Sequence, residues 1–141
     1  MRSEKITINL SSVELAQVDY LVEKGLYASR ADFIRLAIRK QTEEHKKEID
    51  QFMEPTLWER EAEEDNSGLV VIALGGTHIS KEDVQRLLRV GKKAYIRLIG
   101  VLTVDKEITL EEIKEVTSVC KVFGKIVAEP EVKAFLQGKS K

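Results

Sequence analysis

Polar and apolar residues alternate strictly over "KITINL", Lys5 to Leu10, placing Ile6, Ile8 and Leu10 on one face of a strand and Lys5, Thr7 and Asn9 on the other. Two serines follow, and then Val13, Leu15, Val18, Leu21 and Val22 recur at helical spacing. Ser11 or Ser12 can cap this helix by accepting a backbone N–H bond, and Gly25 stops it. "YASRADFIRLAIRKQ" opens a second helix, with Ser29 as N-cap, Asp32 three residues on in a capping-box-like pair, and an apolar face of Phe33, Ile34, Ala37 and Ile38. The first forty residues therefore read strand, helix, turn, helix. From Gln41 the pattern weakens. The second helix is expected to extend to about Met53, where Pro55 interrupts it, and "EREAEEDNSG" reads as a solvated acidic linker. Ile49, Phe52, Met53, Leu57 and Trp58 are too apolar for a pure linker and are expected to pack on a second domain or on a dimer mate.

The remaining residues repeat. Gly76, Gly100 and Gly124 are each 24 residues apart, and each follows an apolar strand-like run: "LVVIALGG", "AYIRLIG" and "CKVFG". Each also precedes a helix start and an apolar-periodic helix, so the region reads β-α-β-α-β-α. Two arrangements satisfy this order. Three strand-helix units can stack in parallel as a short repeat, or residues 93–104 can fold into two antiparallel strands of an ACT-type, ferredoxin-like sandwich. The constant spacing favours the parallel repeat. The expected class is thus α+β, with a first domain at 1–42, a helical extension and acidic linker at 43–67, and an α/β domain at 68–141.

Charge adds one feature to this picture. The chain has 141 residues and a formal charge of −1, but basic and acidic residues number seven and five in 1–41, three and ten in 42–67, and thirteen and nine in 68–141. The middle block is therefore an acidic spacer between two mildly basic regions. Nothing at the start resembles a signal peptide and no apolar run is long enough to span a bilayer, which gives an expectation of a cytoplasmic protein with no membrane partner. The single cysteine, Cys120, excludes an internal disulfide and fits a reducing compartment.

An isolated strand with one apolar face is unstable, because its backbone groups and that face both need partners. The economical partner is the same strand of a second copy, giving a two-stranded antiparallel ribbon over the helices of a homodimer. Its outer face would carry Lys5, Thr7 and Asn9 twice, on a ribbon narrow enough for the major groove of DNA. The stretch Lys5 to Lys40 resembles the ribbon-helix-helix transcriptional regulators, the group of the Arc, MetJ and CopG repressors. The alternating strand, the first helix with its Gly25 stop and the "SRADFIR" opening of the second helix carry the resemblance. It implies a sequence-specific DNA-binding regulator, a repressor, in which Lys5, Thr7 and Asn9 read bases. It also implies that Ser29 and Arg30 sit at a phosphate-binding turn. The anion preference of that turn has an independent basis in the free N–H groups and positive dipole end of a helix start. Arg2, on the N-terminal arm, is a further candidate phosphate contact.

The layout also resembles nickel-responsive repressors with an ACT-like second domain, whose metal site needs several histidines and a cysteine. Here His78 and Cys120 are the only candidates in the second domain, and His45 lies in the helical extension, so no metal or other cofactor is expected. "LGGTHIS" lacks the Lys-Ser/Thr ending of a phosphate loop, and its glycines are expected to form a tight turn before a helix capped by Ser80. No histidine has a nucleophile beside it in sequence, so no enzyme is indicated. The expected partners are double-stranded DNA and the chain itself, as a dimer or as a tetramer of paired dimers, with room for a small-molecule effector. The alternative is an antitoxin-like or adaptor protein whose C-terminal domain binds a protein.

Overall fold

The computed structural model describes residues 3–141. The chain divides into two compact units, residues 1–48 and 49–141, and each is described by itself.

In the first unit, residues 3–11 form no regular secondary structure in the single chain, because no neighbouring strand bonds to them. Helix α1 follows at Ser12–Glu23. Ser11 is its N-cap: the hydroxyl accepts from the Glu14 N–H at 3.2 Å while the Glu14 carboxylate accepts from the Ser11 N–H at 2.8 Å. This reciprocal pair satisfies two donors that a helix start leaves open. The stop is equally local. Gly25 adopts φ +78° and Leu26 N–H bonds back to the Leu21 carbonyl at 3.1 Å, a left-handed terminus that glycine forms without strain.

Helix α2 runs over Arg30–Glu44, capped by the Ser29 hydroxyl accepting from the Asp32 N–H at 3.1 Å. Asp32 reaches one residue further back than a capping box requires and accepts from the Ala28 N–H at 3.1 Å. The single long helix expected from the sequence is broken at His45. Helix α3 occupies Lys46–Met53. The Thr42 hydroxyl donates to the Ile38 and Arg39 carbonyls at 3.0 and 2.9 Å, and such back-bonding competes with the helical ladder and bends it. Pro55 then ends α3 as expected.

The acidic stretch is not a linker in the structure. Leu57–Glu64 form helix α4, with Thr56 and Glu59 as a full capping box. Glu59 is 3% exposed and Ala62 4%, so this short helix belongs to the second unit's packing despite its charge.

Three parallel strands, β1 (Gly68–Ile79), β2 (Lys93–Val104) and β3 (Thr117–Val127), lie in the order β1-β2-β3. Residues 93–104 are one strand paired in parallel on both sides, without the hairpin that a ferredoxin-like sandwich needs. Helices α5 (Lys81–Val90), α6 (Leu110–Val116) and α7 (Pro130–Ser140) connect and follow the strands. All three contribute to one core with the sheet, through Val84, Leu87, Ile113, Val116, Val132 and Leu136 against Ile96, Leu98, Leu102 and Cys120. The helices therefore share one face of the sheet, as right-handed crossovers between parallel neighbours require. The opposite face carries Tyr95, Arg97, Val119, Lys121 and Phe123, with Phe52 of α3 packed edge-on to Phe123 at 5.3 Å.

The glycine repeat is real but shifted. Gly75, not Gly76, aligns with Gly100 and Gly124 across the sheet, and each strand runs on past its glycine to Ile79, Val104 or Val127. These glycines do not end strands in tight turns. They form a column within the sheet at φ between +127° and +149°, a region closed to side-chain-bearing residues. A Cβ on Gly100 would lie 1.8 Å from the Gly75 carbonyl oxygen, and one on Gly124 would lie 1.9 Å from that of Gly100.

Candidate nucleic-acid interface

The first unit has almost no core of its own. Among the described residues, Val18 is its one buried hydrophobic side chain, and every other buried hydrophobic lies in the second unit. No residue of α2 is buried. Instead, Ile6, Ile8 and Leu10 with Val18, Phe33, Ile34, Ala37 and Ile38 line an open apolar groove of about 550 Å³. Ile6 is 71% exposed, Ile8 50% and Ile38 50%. An apolar surface of this kind, spread over a stretch that forms no hydrogen-bonded strand alone, is incomplete as a soluble unit.

Lys5, Thr7 and Asn9 are exposed, and none of them lines that groove. The alternation of the sequence is therefore kept in the chain's side-chain placement even without a second strand. Arg2 lies outside the described residues.

At the start of α2, the Ser29 hydroxyl is engaged as the cap acceptor and keeps its proton as a donor. Arg30 is held in a fork by Asp19 of α1, Nε to Oδ1 at 2.6 Å and Nη2 to Oδ2 at 2.8 Å. The guanidinium hydrogen bonds hold the Asp19 carboxyl below its ordinary range, outweighing the desolvation that acts in the opposite direction. This contact ties the two helices together beside the α2 N-terminus. Sequence reasoning picked Arg30 but missed Asp19, eleven residues away, since nothing local marks which carboxylate an arginine will meet.

The second unit places the remaining candidates apart. His78 Nε2 lies 3.0 Å from Asp105 Oδ1, toward the end of β1 opposite Thr103. Cys120 lies opposite Ile96, seven residues earlier along β2, which at strand spacing is about 23 Å away. Among the described residues no group of three or more His, Cys, Asp or Glu side chains is placed to hold a metal ion. Ser80 caps α5 as expected, its hydroxyl accepting from the Asp83 N–H at 3.1 Å while Asp83 bonds back. Burial pushes the Cys120 thiol up to about 11. The native protein should therefore react with a disulfide reagent at pH 8 far more slowly than a free thiol, and release one equivalent only after denaturation. Stoichiometric reaction within the native baseline would show that β3 opens readily.

The Ribbon-Helix-Helix transcriptional regulator family matches residues 1–133, so the chain belongs to that family and is a DNA-binding regulator of transcription. The match extends well beyond the N-terminal third in which the sequence shows the resemblance, through β3 and into the first turn of α7. No curated protein and no solved structure matches the chain. Among the described residues no helix is long and apolar enough to cross a membrane.

Proposed function

We propose that the chain is a cytoplasmic repressor that works as a homodimer, with residues 5–10 of two copies paired into an antiparallel ribbon inserted in the DNA major groove. The observation that carries this reading is the near absence of a core in the first unit beside an open groove lined by Ile6, Ile8 and Leu10. A second copy supplies both missing things at once: hydrogen-bond partners for the strand backbone and apolar cover for the groove. Pairing through that face leaves Lys5, Thr7 and Asn9 outward, twice over. Lysine is suited to guanine O6 and N7, asparagine to adenine N6 and N7, and threonine to a hydroxyl or methyl contact.

The α2 N-terminus, with Ser29 as hydroxyl donor and Arg30 fixed by Asp19, supplies the phosphate contact that sets register without reading sequence. Arg2 adds a cation on the arm that precedes the ribbon. With one lysine per strand, much of the affinity has to come from these backbone contacts. Binding should weaken steeply with salt.

The second unit has its own core and does not need a partner to bury it. That supports a folded effector or assembly domain over the tail of an antitoxin-like protein that folds on its target. Selection and sequencing of genomic fragments bound by the purified chain tests the reading. A recurring pseudo-palindrome is expected, and half-sites repeated about one helical turn apart would indicate paired dimers. Recovery of fragments with no shared sequence would overturn it.

A further inference from the structure

Arg97 and Lys121 are Cα partners across the β2-β3 ladder, on the face of the sheet away from α5, α6 and α7. Two cations directly opposite repel each other. Only one is neutralised: the Arg97 Nε lies 3.1 Å from the Glu59 Oε1, both side chains nearly buried, and an Arg97 Nη2 donates to the Glu54 carbonyl. Glu59 has no capacity to spare, because its other oxygen accepts from the Thr56 N–H at 2.7 Å and the Thr56 hydroxyl at 2.9 Å. Phe52 covers the guanidinium at 5.2 Å. Lys121 is exposed, and no carboxylate pairs with it among the described residues. Beside it opens a cleft of about 490 Å³ walled by Tyr95 of β2 and by Trp58 of α4, which is 76% exposed.

From this arrangement we infer that the cleft is a binding site for a small carboxylate with a flat apolar body. The charge fits one negative group: Arg97 and Glu59 cancel, and Lys121 is left over. The walls fit a ring or planar chain, since aromatic faces bury apolar area and stack at 4.5–7 Å in other proteins. The cleft volume lies within the roughly 300–1,000 Å³ of ordinary ligand sites. Binding would give the unpaired Lys121 a counter-ion, and it would cover the indole that the folded unit leaves in water. The second unit would thereby hold a ligand site within a regulator, independent of how the first unit reads DNA.

Trp58 is the single tryptophan of the chain, so its emission reports on the cleft directly. The full-length protein is titrated with phenylacetate, using acetate, which lacks the ring, and phenylacetamide, which lacks the charge, as controls. A saturable blue shift is expected with phenylacetate, and binding about tenfold weaker or worse with either control, as loss of a charge-assisted contact or of the buried ring implies. Lys121→Met keeps the aliphatic stem at an exposed position; it should retain the native circular dichroism spectrum and bind phenylacetate about tenfold more weakly. An unsaturable or absent response to phenylacetate would overturn the proposal, as would equal binding by Lys121→Met. A blue shift that follows protein concentration without any ligand would also overturn it, and would make the cleft an interface between copies.

Discussion

Ile8→Asp is expected to convert the protein to a monomer and to abolish its binding to DNA. In the single chain Ile8 is half-exposed at the middle of the groove that the paired ribbon would close. Burying such a side chain contributes about 2 kcal/mol, and a two-fold interface counts it twice. The loss of about 4 kcal/mol raises the dissociation constant about a thousandfold, before any cost of burying two carboxylates side by side. Sedimentation equilibrium measures this directly. Because Val18 is the one buried hydrophobic of the first unit among the described residues, the helices α1 and α2 should lose ellipticity together with the dimer. The second unit should keep its own thermal transition, since its core lies elsewhere. A variant that remains dimeric at micromolar concentration would place the dimer contact outside the ribbon.

The second large effect concerns the sheet. Gly100→Ala should destabilise the second unit by at least about 4 kcal/mol. Two penalties act together: φ of +149° costs a side-chain-bearing residue 1–3 kcal/mol or so, and the new Cβ would sit 1.8 Å from the Gly75 carbonyl oxygen. The obstacle is backbone in the same sheet, so neither a rotamer change nor a small shift removes it. That is a large share of the roughly 5–15 kcal/mol by which a domain of this kind is stable. Neighbouring glycines supply the controls. Gly75→Ala meets the positive φ but open space, and should cost less than Gly100→Ala. Gly76→Ala meets neither, and should stay within about 0.5 kcal/mol of the parent. Urea unfolding followed by far-ultraviolet circular dichroism ranks the three. An inverted order, with Gly76 the most sensitive, would mean that the strands pair one residue out of the observed register.

That glycine comparison also marks where the sequence is readable. A spacing of 24 residues leads to Gly76, because periodicity is counted along the chain, whereas the column is defined by hydrogen-bonded register, and β1 is offset from β2 by 25 residues. The parallel order of three strand-helix units follows from local patterns and is what the structure has. Helix α4 has a visible local signal as well, the Thr56-x-x-Glu59 capping box, but the surrounding acidic residues mask it. What no local pattern contains is that Glu59 should be buried: its partner Arg97 arrives from a strand 38 residues later, and only the sheet brings the two together. The same holds for Asp19 and Arg30. In the first unit, by contrast, the caps at Ser11 and Ser29, the stop at Gly25 and the two faces of residues 5–10 are all short-range features, and each is legible from a few neighbouring residues.

The most direct test of the central claim is a DNA-binding titration of the wild type and of a Lys5→Ala, Asn9→Ala double variant, on a selected genomic site and on unrelated DNA, across a salt series. Both side chains face away from the groove that would close on dimerisation, so the double variant should remain a dimer by sedimentation. It should lose at least about a thousandfold in affinity for the selected site, as two base contacts of about 1–3 kcal/mol each in two copies imply, while binding unrelated DNA within a few-fold of the wild type. A dimeric double variant that still prefers the selected site as strongly as the wild type would contradict the account, because the sequence would then be read by residues other than those the ribbon presents.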